Sequence, residues 1–132
     1  MSSSQRSMRT PLGRVRAHGA SGQGTGHFIG QRVSAVALLV LGLWFLVSAI
    51  LEMHGPGFVD SIDFLSSPLN AVGVILLIAT AFYHMRLGMQ VIIEDYILKP
   101  STKAILLLLN TFVLVALGAG AIFAVLIVNF GA

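Results

Sequence analysis

Residues 33–51, VSAVALLVLGLWFLVSAIL, hold nineteen consecutive side chains without a charge. At ~1.5 Å rise per residue such a run is just long enough to cross a hydrocarbon core about 30 Å thick. Two more apolar segments follow, residues 69–93 and 104–128. In lipid every backbone N–H and C=O must find a partner inside the chain, and three segments cannot close a barrel, so all three are expected to be helices. Bulk composition agrees. Charged residues make up 10% of the 132, hydrophobic residues 56%, and mean hydropathy is +0.91. A soluble domain of this size carries roughly a quarter charged residues to face water, so the solvent of this chain is largely lipid.

The expected architecture is an all-α membrane protein of three transmembrane helices, about 33–53, 69–95 and 104–129, behind a polar N-terminal arm of residues 1–32. The arm has five arginines (Arg6, Arg9, Arg14, Arg16, Arg32), many Ser and Gly, and no acid. It lacks an apolar core of its own and reads as an extended or partly ordered segment. A signal peptide fits badly, because some thirty mostly polar residues precede the first apolar run; a mitochondrial transit peptide shares the composition and remains an option. Breakers sit between the spans: His54-Gly55-Pro56-Gly57 and Ser66-Ser67-Pro68 in the first connection, Lys99-Pro100-Ser101 in the second. The first connection carries Glu52, Asp60 and Asp63 and no Lys or Arg, whereas the arm and second connection hold seven of the eight basic residues. The excess of Lys and Arg marks the cytoplasmic side, so the N-terminus is expected in the cytoplasm (or mitochondrial matrix) and the C-terminus in the periplasm. The net charge of +3 does not point to nucleic acid, since the basic residues lie in the arm and at helix ends without interleaved aromatics. Cysteine is absent, which excludes disulfides, thiolate metal sites and iron–sulfur ligation by this chain.

The second span alone carries polar residues deep in its run: Thr80, His84, Arg86 and Gln90. An ionisable group costs roughly 2.5–3.5 kcal/mol at the centre of a span, so His84 is a functional candidate by default. At 100° per residue Gly73, Leu77, Thr80, Gly88, Val91 and Asp95 all fall within about 40° of His84, in one stripe. Small neighbours above and below the histidine would let a flat macrocycle lie against the helix. Glycines there serve helix packing equally well, with His84 bonded to a neighbouring helix; both readings stand at this point. Only one histidine lies within any span, so a metal held by two imidazoles needs its second ligand from another polypeptide. Asp95 and Tyr96, eleven and twelve residues on, lie roughly 16–18 Å from His84 along the axis. A phenol beside a carboxylate can hydrogen-bond a quinone carbonyl, but Tyr is also an ordinary interfacial residue. Arg86 points about 200° away from His84 and is expected to snorkel or to pair with a partner chain. His18 and His54 read as solvated, and Trp44 as packing.

The run His84-Met85-Arg86-Leu87-Gly88-Met89-Gln90-Val91-Ile92-Ile93-Glu94-Asp95-Tyr96 resembles the motif of the succinate dehydrogenase hydrophobic membrane anchor family of respiratory complex II. Upstream, Gly26-His27-Phe28-Ile29-Gly30-Gln31-Arg32-Val33-Ser34-Ala35 is similar to that family's approach to its first helix. The resemblance implies His84 as an axial ligand of haem b iron, shared with a separate cytochrome b subunit. It implies Tyr96 and Asp95 at the ubiquinone site, and Arg32 beside a haem propionate. Iron–sulfur and flavoprotein subunits would be the further partners, and the bacterial inner membrane (alternatively the mitochondrial inner membrane) the location. The chain itself would be a non-catalytic subunit. A fumarate reductase-type anchor and a small non-redox assembly or regulatory subunit are the rival readings.

Overall fold

The computed structural model describes residues 23–131; the expectations for Arg6, Arg9, Arg14, Arg16 and His18 lie outside the described residues. Four helices make up the described part: α1 (Gln23–Glu52), α2 (Phe58–Ser66), α3 (Pro68–Tyr96) and α4 (Pro100–Phe130). No strand occurs among the described residues. α1, α3 and α4 are the three helices long and apolar enough to span a membrane.

The three expected spans are present, with longer ends. α1 begins at Gln23 rather than near 33. The apolar run stops at Arg32, but the helix does not, because its first turns have neighbours. The Arg32 guanidinium lies over the Phe28 ring, 4.7 Å from the centroid and one turn back. Gly30 packs so closely on α3 that a Cβ there would meet Tyr83 Oη at 2.8 Å and Leu87 Cδ1 at 3.3 Å. Tertiary contact thus overrides a glycine-rich, helix-poor stretch.

α3 and α4 each start with a proline at the first helical position, where the missing N–H is no loss. Only residues 97–99 join them, which forces the two helices antiparallel. α4 ends on Gly131, left-handed at φ 69°, whose N–H bonds back to the carbonyls of Ile127 and Val128. α3 is the central helix, with α1 along one side and α4 along another. Three close approaches hold this arrangement. Gly73 lies directly under the Trp44 ring of α1, Gly30 against Tyr83, and Gly118 of α4 against Phe82, where a Cβ would meet ring Cγ at 3.2 Å. Trp44 is therefore a packing residue, as its mid-span position suggests. The outer faces stay bare, with Leu39, Leu51 and Phe112 among many exposed apolar side chains, as lipid or partner helices require.

The first connection, residues 52–68, is not the open loop that its breakers suggest. Those breakers delimit the nine-residue helix α2 instead. Phe64 is its buried residue, edge-on to Phe45 of α1 with centroids 6.0 Å apart and planes at 82°. Asn129, near the end of α4, donates its Nδ2 to the carbonyls of Leu65 and Ser66 at 3.1 Å each and so closes the C-terminus of α2.

Candidate functional site

His84 sits on the α3 face that meets α1, in a polar seam between the two helices. Its Nδ1 lies 2.9 Å from Ser34 Oγ and its Nε2 3.3 Å from Gln31 Nε2. The Ser34 hydroxyl donates to the Gln31 backbone carbonyl at 3.1 Å. That donation uses the only hydroxyl proton, so Ser34 Oγ faces Nδ1 as an acceptor. In that arrangement a neutral ring carries its proton on Nδ1 and turns the Nε2 lone pair to the Gln31 amide N–H. Ser34 is 4% exposed, and the backbone carbonyl it bonds belongs to its own helix. The stripe read from periodicity is thus the α1-facing seam, but its glycines do different things. Gly73 receives Trp44, whereas a Cβ on Gly88 would meet only Gln31 Nε2, at 3.5 Å.

Among the described residues, two buried polar atoms on this side of α1 have no hydrogen-bond partner, Gln31 Oε1 and His27 Nε2. His27, Gln31 and Ser34 are spaced i, i+4, i+7 and share one face of α1. Sequence reasoning missed Gln31 and Ser34. The signal was that spacing: a polar row on one face of an otherwise apolar helix, opposite the one helix that carries an intramembrane histidine. Beside Ser34 a groove of about 340 Å³ runs between the helices, lined by Ser34, Val33, Ala37, Ala79 and Thr80 among others. A second groove, about 570 Å³, follows the flank of α1 from Arg32 past Val33 and Ala37 to Leu41. The two grooves share Val33 and Ala37 in their walls.

The other candidate residues lie apart from this cluster. Arg32 is stacked on Phe28; it reaches the outer groove, not the histidine. Tyr96 is 79% exposed in the last turn of α3, with Asp95 exposed beside it. Their surroundings are pinned from α4: Lys103 Nζ donates to the Glu94 carbonyl at 2.8 Å, while Gln90 Nε2 on α3 donates to Glu94 Oε1 at 2.8 Å. Arg86 departs from expectation. Its Nε donates to Thr111 Oγ1 on α4 at 3.3 Å, and Asn110 Nδ2 donates to its backbone carbonyl at 3.0 Å. An antiparallel neighbour of the same chain puts hydroxyl and amide groups at its depth, so Arg86 finds a partner in its own chain.

Among the described residues no three His, Asp or Glu side chains come close enough to hold a metal ion. The seam does suit a single axial contribution to a haem iron. His84 has one nitrogen held by an acceptor, the other with its lone pair free of a proton, and a Cβ-free residue one turn away. Gln31, whose carboxamide now lies against Nε2, is the group that would have to move.

Three helices long and apolar enough to span a membrane, with a half-buried histidine in a polar seam between two of them and a tyrosine and a carboxylate at the basic end of the same helix, define a class: multi-pass membrane proteins with polar groups set between their spans. Sequence comparison narrows it. The chain belongs to the succinate dehydrogenase/fumarate reductase transmembrane subunit family, whose profile matches residues 3–127. Among its relatives is the succinate dehydrogenase hydrophobic membrane anchor subunit of Rickettsia bellii, 32% identical over 89 residues, covering 67% of this chain and 70% of that protein. The anchor subunits of Rickettsia conorii (27% over 84 residues, 64% and 67% covered) and Rickettsia felis (30% over 78 residues, 59% and 64% covered) are similar too. No solved structure matches.

Proposed function

We propose that the chain is the hydrophobic anchor of a succinate:ubiquinone oxidoreductase, contributing one axial ligand of haem b and part of the quinone-reduction site. The observation that carries this reading is His84, its Nδ1 against the Ser34 hydroxyl and its Nε2 against the Gln31 carboxamide, within a family of succinate dehydrogenase and fumarate reductase membrane subunits. A span does not keep a histidine so disposed without a use for it. Haem b, when bound, supplies a one-electron store beside the quinone. His84 would supply one ligand to its iron, and a separate cytochrome b subunit would supply a second, since α1, α3 and α4 carry no second mid-span histidine. Arg32 sets a fixed positive charge at the mouth of the outer groove for a propionate. Tyr96 donates its phenol O–H to a quinone carbonyl at the membrane surface, and Asp95 beside it keeps that end wet and able to pass protons.

The positive-inside rule puts this basic end in the cytoplasm, where Arg32, Lys99 and Lys103 present cations to the iron–sulfur and flavoprotein subunits. The bacterial sources of the relatives favour the bacterial inner membrane over the mitochondrial one. An anchor of a fumarate-reducing complex uses the same parts in the opposite direction, and the family spans both.

The test is a dithionite-reduced minus oxidised spectrum of the complex assembled with its partner subunits, wild type against His84→Leu. A haem b band that His84→Leu weakens or shifts is the expected result. A wild-type complex that assembles without the band sinks the ligand assignment and leaves a haem-free anchor.

A further inference from the structure

The seam holds more polar structure than the packing of two apolar helices calls for. Ser34, nearly fully buried, spends its proton on a backbone carbonyl and so offers His84 only an acceptor. Gln31 buries a carbonyl oxygen with no donor in order to lay its amide against His84 Nε2. An unsatisfied buried atom of this kind calls for a partner that the arrangement among the described residues does not supply. A candidate partner stands nearby. His27 is one turn outward on the same face and also buries an unpartnered atom, Nε2. An Nε2–H on His27 and the Gln31 Oε1 are complementary orphans.

We propose that Ser34 is a positioning residue that fixes the ring and tautomer of the iron ligand, and that the Gln31 carboxamide is a placeholder which haem displaces from His84 Nε2. The proposal rests on the haem reading above and deepens it. When Gln31 turns toward His27, both orphans are satisfied. The space next to Gly88, which Gln31 Nε2 alone now borders, opens beside the ring. The Ser34 bond survives the move, because it goes to the Gln31 backbone and not to the side chain. His84 therefore keeps its Nδ1–H bound to an acceptor in both states. An imidazole so held is the stronger donor and favours ferric over ferrous iron.

The experiment is a redox titration of the haem b band, with haem content per complex, in the complete complex carrying Ser34→Ala, Ser34→Thr, Ser34→Cys or Gln31→Leu. Ser34→Ala should raise the ferrous-to-ferric ratio at fixed ambient potential about fivefold, the worth of one net hydrogen bond, or about 40 mV at 59 mV per tenfold. It should also lower haem retention, on the order of 10-fold in affinity. Ser34→Thr restores the hydroxyl and should match wild type. Ser34→Cys, a weaker acceptor, should fall between and serves if the alanine variant fails to assemble. Gln31→Leu should leave the potential of the loaded complex unchanged. A wild-type band with an unaltered potential and haem content in both Ser34→Ala and Ser34→Cys overturns the positioning role. A Gln31→Leu shift as large as that of Ser34→Ala overturns the displacement. Absence of a wild-type band defeats the haem reading itself and this inference with it.

Discussion

Replacing Gly73 by alanine separates two physical effects that point in opposite directions. Within a helix, alanine is favoured over glycine by about 0.8–1.0 kcal/mol, so local propensity alone expects Gly73→Ala to stabilise α3. The structure reverses the sign. A Cβ at residue 73 would run into Cη2, Cζ3 and Cζ2 of Trp44, all atoms of one rigid indole that cannot yield piecemeal. The ring must swing off α3, and each heavy-atom pair it gives up loses about 0.1–0.2 kcal/mol of dispersion. In lipid no hydrophobic gain compensates, since the tails are as apolar as the helix surface. Overpacking of this kind costs about 2–3 kcal/mol at its upper range, so the net effect is destabilisation by about 1–2 kcal/mol. In a Trp44→Leu background the obstruction is gone and Gly73→Ala should be neutral or stabilising by up to about 1 kcal/mol. The coupling between the two positions is then about 2 kcal/mol. The assay is helical circular dichroism along an SDS titration in mixed micelles, because Trp44 is the single tryptophan and its fluorescence vanishes in the leucine background. Equal stabilisation by Gly73→Ala in both backgrounds would refute the contact and with it the packing of α1 on α3.

Other regions of the molecule give three further outcomes. Tyr96→Phe should raise the KM for a short-chain ubiquinone roughly five- to tenfold, the loss of one hydrogen bond, while the haem difference band stays as in wild type; an unchanged KM removes Tyr96 from the quinone site. Asn129→Ala takes away both hydrogen bonds to the Leu65 and Ser66 carbonyls and should weaken α2 by about 1–2 kcal/mol. Amides of residues 58–66 would then exchange on the order of 5–30 times faster while those of α3 hold. Gly118→Val, pressed against Phe82, should destabilise by about 1–3 kcal/mol, whereas Gly120→Val, with nothing within 4 Å, should stay within about 0.5 kcal/mol of wild type; thermal unfolding of the pair reads the difference.

The glycines show where sequence reasoning runs out. Gly73 and Gly88 fall on the same stripe and are indistinguishable by periodicity, yet one is the floor under an indole and the other borders only a movable carboxamide. The Gly118-Ala119-Gly120-Ala121 stretch reads as one close-packing surface, but the helix turns Gly118 inward and leaves Gly120 open. Arg86 lies on the opposite face from His84, as its spacing requires. Nothing local says that Thr111 would stand at its level, because that depends on the depth at which α4 returns.

Three membrane crossings, the helix that carries the polar groups, and the separation of His84 from Tyr96 by about 18 Å along one helix were all legible in the order of residues. These are properties of a single helix: apolar length against bilayer thickness, 3.6-residue periodicity, and rise per residue. Packing settled that α1 continues N-terminal of Arg32, that the acidic connection folds as α2, and that Ser34 and Gln31 stand against the two ring nitrogens of His84. Each of these rests on contact between residues far apart in the chain, fifty positions in the case of Ser34 and His84. A helix's pattern names the face it presents, while the neighbour that fills that face is chosen only when the helices pack.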